Sequence, residues 1–172
     1  GQIHFSSGGN GHATHLAMEQ FLWKAGLKLV HVPYKGTTPA MQAVVTGEVG
    51  AYAIAAALAQ PHVESGKVIA LAVIGPRLPG VLPGVPPLSS FFADAEGVSW
   101  QAVYAPAGTP KPILERLNAT LVKVLESPEM KTRLAQVGLT ASPSTPAELD
   151  EIARTDQATN RELIKRMGLK LE

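Results

Sequence analysis

At 172 residues, 45% hydrophobic and 17% charged, the chain is long enough for one good core and has the balance of an ordinary globular protein. A net charge of +1 gives no reason to expect nucleic acid or a membrane surface as partner, and the longest nearly apolar run, Val49 to Ala59, is too short to span a bilayer. With no cysteine, the redox character of its compartment stays open.

Strand and helix signals alternate along the chain. Strands are expected over Gln2 to Phe5, Lys28 to Val32, Val49 to Ile54, Val68 to Ile74 and Val98 to Ala105, with a short one near Leu139 to Ala141. Helices are expected over His12 to Ala25, Pro39 to Thr46, Ala55 to Ser65 with a kink or restart at Pro61, Pro110 to Glu126, Pro128 to Val137 and Pro146 to Met167. Gly26, Gly47, Gly66, Gly138 and Gly168 each fall just past a helical stretch, where a left-handed residue closes the last turn. Thr38-Pro39, Thr109-Pro110, Ser127-Pro128 and Thr145-Pro146 each put a capping hydroxyl before a proline, and Thr145 with Glu148 completes a capping box. The alternation argues for βαβ units and a parallel sheet, hence an α/β fold. A segment from Gly75 to Pro87 with five prolines interrupts it, after which the pattern turns mainly helical. Residues 1–97 are expected as one α/β lobe and 98–172 as a crossing strand with helices.

The residues that carry chemistry lie in two loops, each running from a strand into a helix start. In the first, Ser6-Ser7-Gly8-Gly9-Asn10-Gly11 offers two hydroxyls, a carboxamide and a glycine-rich backbone; it reads either as a carboxylate cradle or as a plain turn joining strand to helix. In the second, His31-Val-Pro-Tyr34-Lys35-Gly36 leads to Thr37 and Thr38, with Thr38 the expected helix cap and Thr37 the hydroxyl that reaches a ligand. Tyr34 offers a flat wall with a hydroxyl handle, while Lys35 either steers anions or is a solvated charge. Two such loops at the same end of neighbouring parallel strands make an anion-binding crevice, since helix N–H groups point into it. No Gly-Lys-Ser/Thr follows, so this is not a Walker-type nucleotide loop.

The spacing Ser7-x-x-Asn10-Gly11-x-x-x-His15-Leu16, then His31-Val-Pro-Tyr-Lys-Gly36, Gly47-Glu-Val49, Pro61-His62, Ser65-Gly66-Lys67, Leu71-Ala-Val73, Ala105-Pro-Ala-Gly-Thr-Pro110 and Arg116-Leu-Asn118 resembles the Bug-type periplasmic solute-binding proteins of tripartite tricarboxylate transporters. The resemblance covers essentially the whole chain. It implies a periplasmic-binding-protein type II-like lobe, with a mainly parallel sheet flanked by helices and a C-terminal helical return. It further implies a small organic carboxylate as ligand, membrane transporter subunits as partners, a periplasmic location, and no cofactor or metal. Such proteins carry a further N-terminal lobe, which this chain is expected to lack. Residues 98–172 would pack on that lobe, and its absence would favour a homodimer of the short chain.

Departures from the family pattern shape the expected ligand. His12 stands where a small hydroxyl residue is usual, and at a helix N-terminus a neutral imidazole acting by hydrogen bond is the expected form. His12 and His15 are three apart, but neither carboxylate nor cysteine is placed to complete a metal site, and His15 and His31 are expected to pack within the lobe. Thr37 and Thr38 replace glycine, and Gly50 and Ile54 replace acidic residues, which makes the pocket floor greasier and favours an aliphatic or aromatic carboxylate over an amino acid. The candidate ligand residues are therefore Ser6, Ser7, Gly9, Asn10, Gly11, His12, Tyr34, Lys35, Gly36 and Thr37. A ligand sensor for a signalling partner uses the same residues. An acyl-transfer hydrolase built on Ser6 or Ser7 with His12 or His15 is a remote alternative, because no carboxylate lies in those loops and no G-x-S-x-G elbow occurs.

Overall fold

A computed structural model describes residues 3–75, 80–92, 100–137 and 139–168. It divides into two compact units, one formed by Gly1–Ser99 with Asn160–Glu172 and the other by Trp100–Thr159.

In the first unit three short parallel strands, β1 (His4–Ser7), β2 (Val30–Pro33) and β3 (Ala51–Tyr52), lie in the order β2-β1-β3. The register sets Phe5 beside both His31 and Ala51, and Ser6 beside both Val32 and Tyr52. The last three residues of β1 are buried, as a central parallel strand covered on both faces requires. Alternation along the strand aims Phe5 at one face and Ser6 at the other. On the Phe5 face, α1 (Ala13–Ala25) supplies Met18 and Leu22, and Phe21, Leu29, Ala51 and Ala53 complete the core. Opposite it sits α2 (Thr37–Val45), to which β1 is tied by the Ser6 hydroxyl donating to the Ala40 carbonyl at 2.9 Å. The end of the last helix joins this unit, with Leu163 buried and the Arg166 guanidinium 4.6 Å from the Trp23 ring centre.

Helix boundaries follow local chemistry. Gly26 (φ 64°) closes α1, and the Leu27 N–H returns to the Leu22 carbonyl at 2.9 Å. The start of α2 differs from expectation: Gly36, at φ 110°, is the N-cap, and Thr38 lies inside the helix. Glycine tolerates this positive φ, so the chain turns into the helix earlier than the Thr38-Pro39 pair suggested. Pro61 does not break α3 (Ala56–Glu64); it removes one intrahelical donor and the helix continues. In the second unit α4 (Lys111–Glu126) begins one residue late, because the Thr109 hydroxyl donates to the Pro106 carbonyl instead of capping. The starts of α5 (Pro128–Gln136) and α6 (Pro146–Met167) match expectation, with Ser127 accepting from the Met130 N–H and Thr145 and Glu148 bonded reciprocally. Trp100 donates its indole N–H to Asp156, and Asn118 bonds the Ser144 carbonyl at 2.9 Å.

Three expected strands are not strands in the structure. Residues 68–74 contribute a single parallel bridge, Val73 with Pro87, while 100–105 and 139–141 are irregular; Gln2, Val98, Ser99 and Gly138 lie outside the described residues. A β-branched run becomes a strand only where a neighbour takes its N–H and C=O groups. Here only Val73 finds such partners, in Pro86 and Leu88, and Ile69 and Leu71 stand 84% and 78% exposed. The contrast with β1 is testable by urea denaturation: Phe5→Ala is expected to cost about 3–5 kcal/mol, whereas Ile69→Ala should stay within about 0.5 kcal/mol. Equal losses would contradict this assignment of the core.

Candidate functional site

Because the three strands are parallel, the loops after β1 (8–12), β2 (34–36) and β3 (53–55) emerge at one edge of the sheet. With β1 central and connections leaving to both sides, this carboxyl edge is where ligands of open α/β sheets bind. Gly50, by contrast, sits at the entry of β3 with its N–H on the His4 carbonyl at 2.9 Å, so of the two missing acids only the one at Ile54 falls at this edge.

The first two loops are laced together by main-chain bonds. The Tyr34 N–H donates to the Ser7 carbonyl (3.0 Å) and the Gly36 N–H to the Gly8 carbonyl (3.1 Å). Gly9, at φ 133°, passes so close that a Cβ there would lie 3.4 Å from the Tyr34 carbonyl oxygen. Within the first loop the Ser7 hydroxyl donates to the Gly9 carbonyl at 3.0 Å and accepts the Gly9 N–H at 3.1 Å. The Gly8 N–H is held by the Thr14 hydroxyl (3.0 Å) and the Gly11 N–H by His15 Nδ1 (3.1 Å).

The two helix N-termini behind these loops differ. That of α1 is closed by its own side chains, since His12 is the N-cap and its Nδ1 accepts the Thr14 N–H at 3.2 Å. The imidazole lies against Gly8, where a Cβ would come within 2.9 Å of Nδ1. At α2 no side chain caps the helix; the first-turn N–H groups at Thr37 and Thr38 lack intrahelical partners, and Pro39 has none to offer. The positive end of the α2 dipole therefore opens beside the glycine loop, suited to a carboxylate.

Of the expected ligand residues, the structure gathers Gly9, Asn10, Gly11 and His12 on one side of the crevice and Tyr34, Lys35, Gly36 and Thr37 on the other. Asn10, His12 and Lys35 are exposed there. Ser6 and Ser7 are fully buried and their hydroxyls serve Ala40, Gly9 and His31, so both shape the loop from below. Tyr34 is half-buried, and its hydroxyl donates to Glu48 at 2.8 Å, a bond that raises its pKa. Glu48 and Thr14 were not among the expected residues; Glu48 acts on a separate loop through Tyr34, whereas Thr14 acts locally on Gly8 and His12.

Beneath the loops lies a cluster of three rings. His15, from α1, stacks on His31, from β2, with centroids 3.6 Å apart and planes 9° from parallel, and Phe5 lies beside the pair, its centroid 4.9 Å from His31 and 6.1 Å from His15. His31 Nε2 is 2.6 Å from Ser7 Oγ. Burial lowers the pKa of His15, and burial with the nearby His15 charge lowers that of His31 to about 4. Glu19, whose carboxylate is 3.8 Å from His15 Nε2, is raised by desolvation. The Ser7–His31 pair has the contact distance of a nucleophile and base, yet Ser7 is closed to solvent and the pair serves position, not attack. Another groove, of about 420 Å³, lies on α4 in the second unit and is lined by Pro112, Ile113, Arg116, Leu117 and Thr120.

A family model described as tripartite tricarboxylate transporter family receptor matches residues 1–169. The chain belongs to this family. The UPF0065 protein in the tcbD-tcbE intergenic region of Pseudomonas sp. (strain P51) is 30% identical over 166 residues, which is 95% of this chain and 49% of that relative. Among solved structures, R. palustris Rpa4515 with adipate superposes with a TM-score of 0.84 at 27% identity, covering 96% of this chain and 56% of the other. MatC (Rpa3494) from Rhodopseudomonas palustris with bound malate gives a TM-score of 0.69 at 29% identity, over 88% of this chain and 55% of that one. The chain spans about half the length of each of these three relatives. The α/β fold of a periplasmic-binding-protein lobe, with a parallel sheet flanked by helices, is thus shared with the family.

The lowered histidine pKa values give stability a defined pH dependence. Above pH 6.5, the ordinary value, His31 is neutral folded and unfolded alike; as pH falls from 6.5 toward 4, the unfolded chain takes up a proton that the folded one refuses, and stability is lost. Glu19, raised by burial, opposes this with a gain toward acid, so the informative quantity is a difference between variants. Urea midpoints should fall between pH 7 and 4.5, and His31→Phe should flatten that fall. Identical slopes for both proteins would contradict the assignment.

Proposed function

We propose that this chain is the carboxylate-binding portion of a periplasmic receptor for a tripartite tricarboxylate transporter, and that it holds a small dicarboxylate in the crevice between residues 8–12 and 34–38. The observation that carries this reading is the uncapped start of α2 behind Gly36, laid against a glycine loop at the carboxyl edge of the sheet. One ligand carboxylate meets main-chain N–H groups there, at Asn10 and at Thr37 and Thr38, since the Gly9 and Gly11 N–H groups are already bonded to Ser7 and His15 and only shape the loop; such charge-assisted bonds are worth roughly 1.5–3 kcal/mol each. His12, with Nδ1 occupied by Thr14, presents Nε2–H as a further donor; Asn10 adds its carboxamide, and Lys35 attracts the anion. Tyr34 forms a wall, its hydroxyl turned to Glu48. Ser6 and Ser7 hold the loop.

Adipate and malate, found with the two Rhodopseudomonas palustris relatives, support a dicarboxylate as the class. The apolar Ile54 at the crevice edge favours an aliphatic chain between the two acids. No helix among the described residues is long and apolar enough to cross a membrane, which fits a receptor that delivers ligand to separate membrane subunits. Release and capture follow from the ligand's differential contacts with open and closed arrangements of the receptor. No observation supports the self-association expected from the sequence, and it forms no part of the proposal.

The test is an amide NMR titration with adipate and malate at pH 7.5. Shifts are expected at Gly9 to His12 and Tyr34 to Thr38, with a dissociation constant between about 1 μM and 1 mM. Gly11→Val, which forces a β-branched residue to φ 71°, should weaken binding at least about tenfold; Lys123→Ala, on α4, should leave it unchanged. Shifts confined to the α4 groove, or sugars binding in place of dicarboxylates, would overturn the proposal.

A further inference from the structure

We propose that His15 and His31 are positioning residues for the crevice: the stacked pair clamps the two loops into one arrangement, and it does so only while both imidazoles are neutral. The ligand consequence drawn below rests on the carboxylate reading; the clamp itself does not.

Each ring grips a different part of the first loop. His15 Nδ1 accepts the Gly11 N–H at 3.1 Å, which needs a free lone pair on that nitrogen and places the ring proton on Nε2, the atom 3.8 Å from Glu19. His31 Nε2 meets the Ser7 hydroxyl at 2.6 Å, and that hydroxyl bonds both the N–H and the C=O of Gly9. The far end of the loop thus hangs on one ring and the near end on the other. His31 also belongs to β2, whose continuation through Pro33 and Tyr34 forms the second loop. Contact between the rings, 3.6 Å apart and nearly parallel, therefore joins the His31–Ser7 bond as a side-chain link between the two halves of the crevice, under the main-chain bonds Tyr34 N–H to Ser7 and Gly36 N–H to Gly8.

Protonation breaks this link twice over. A charged His15 has no acceptor for Gly11, and a charge on either ring faces its neighbour across a stacking distance with little water to screen it. The surroundings supply little compensation. Phe5 and Ser7 from β1 are neutral, α2 carries no ionisable side chain, and β3 brings only Tyr52, whose hydroxyl is buried. Among the described residues Glu19 is the one carboxylate in contact, beside His15 alone. His4, His12 and Lys35 are exposed on β1 and the loops, and Tyr34 is already bonded to Glu48. Acidification should therefore release Gly11 directly and, by disturbing the stack, strain the His31–Ser7–Gly9 link beside it, which loosens the loops and weakens ligand binding.

The experiment follows ring and amide resonances of the free 172-residue chain from pH 7.5 to 3.5, past the value of about 4 for His31. His15 should appear as the Nε2–H tautomer at pH 7.5, and the Gly9, Gly11, Tyr34 and Gly36 amides should move together with the His15 and His31 rings, in one transition below pH 6.5. Rings that titrate without moving those amides would overturn the proposal. His15→Phe keeps a flat ring in the stack and removes the acceptor, so at pH 7.5 Gly11 amide exchange should quicken and adipate affinity fall, each about tenfold. Unchanged Gly11 exchange in that variant overturns the proposal as well; if the variant does not fold, the wild-type titration decides alone. Co-titration without any adipate binding would sink the carboxylate reading and leave the clamp standing. Adipate binding with loop amides indifferent to the rings would do the reverse.

Discussion

The pairing of Phe5 with His31 in the β1–β2 register is the contact on which the rest of the first unit depends. Neighbouring residues in register share a face of the sheet, so this pairing sets an imidazole beside the core phenylalanine and under α1, where His15 stacks on it. A slip of one residue would turn His31 to the other face and leave Ser7 and Gly11 without their partners. Sheet register and loop shape are therefore one constraint: the hydrophobic residues that choose the register also choose where the glycine loop's hydrogen-bond groups point.

That arrangement explains how a site with few charged side chains can favour an anion. Lys35 is exposed and brings long-range attraction more than a fixed contact. The directional donors are main-chain N–H groups, that of Asn10 on one side, within a loop whose shape Ser7, Thr14 and His15 fix before ligand arrives, and those of Thr37 and Thr38 beyond the glycine turn into α2 on the other. Donors that need no rearrangement lose little entropy on binding. The buried hydroxyls and imidazoles are thus part of the recognition without touching the ligand.

Much of this was legible in the sequence. Glycine stops, the Thr145–Glu148 box and the two strand-loop-helix segments gave the α/β class and the crevice, because each is decided within a few residues. What stayed hidden depends on distant chain segments. Ser6 and Ser7 look like ligand hydroxyls in a glycine loop, and only the packing of α2 and β2 shows them turned inward to Ala40 and His31. His15 and His31 were both expected to pack within the lobe, but that they meet each other depends on how α1 lies over β2. The run from Val68 to Ile74 has strand composition and lacks a neighbouring strand among the described residues, a fact no single segment can reveal. Thr38 lost the cap to Gly36 for a reason of backbone geometry that the threonine-proline pair does not display.

The central claim, a dicarboxylate held by main-chain donors between the two loops, is tested most directly by a crystal structure of the chain grown with adipate. One carboxylate should lie about 2.7–3.2 Å from main-chain nitrogens of the glycine loop and the first turn of α2, with His15 and His31 still stacked beneath. Adipate seated elsewhere, for example along the α4 groove, with the two loops empty, would contradict it.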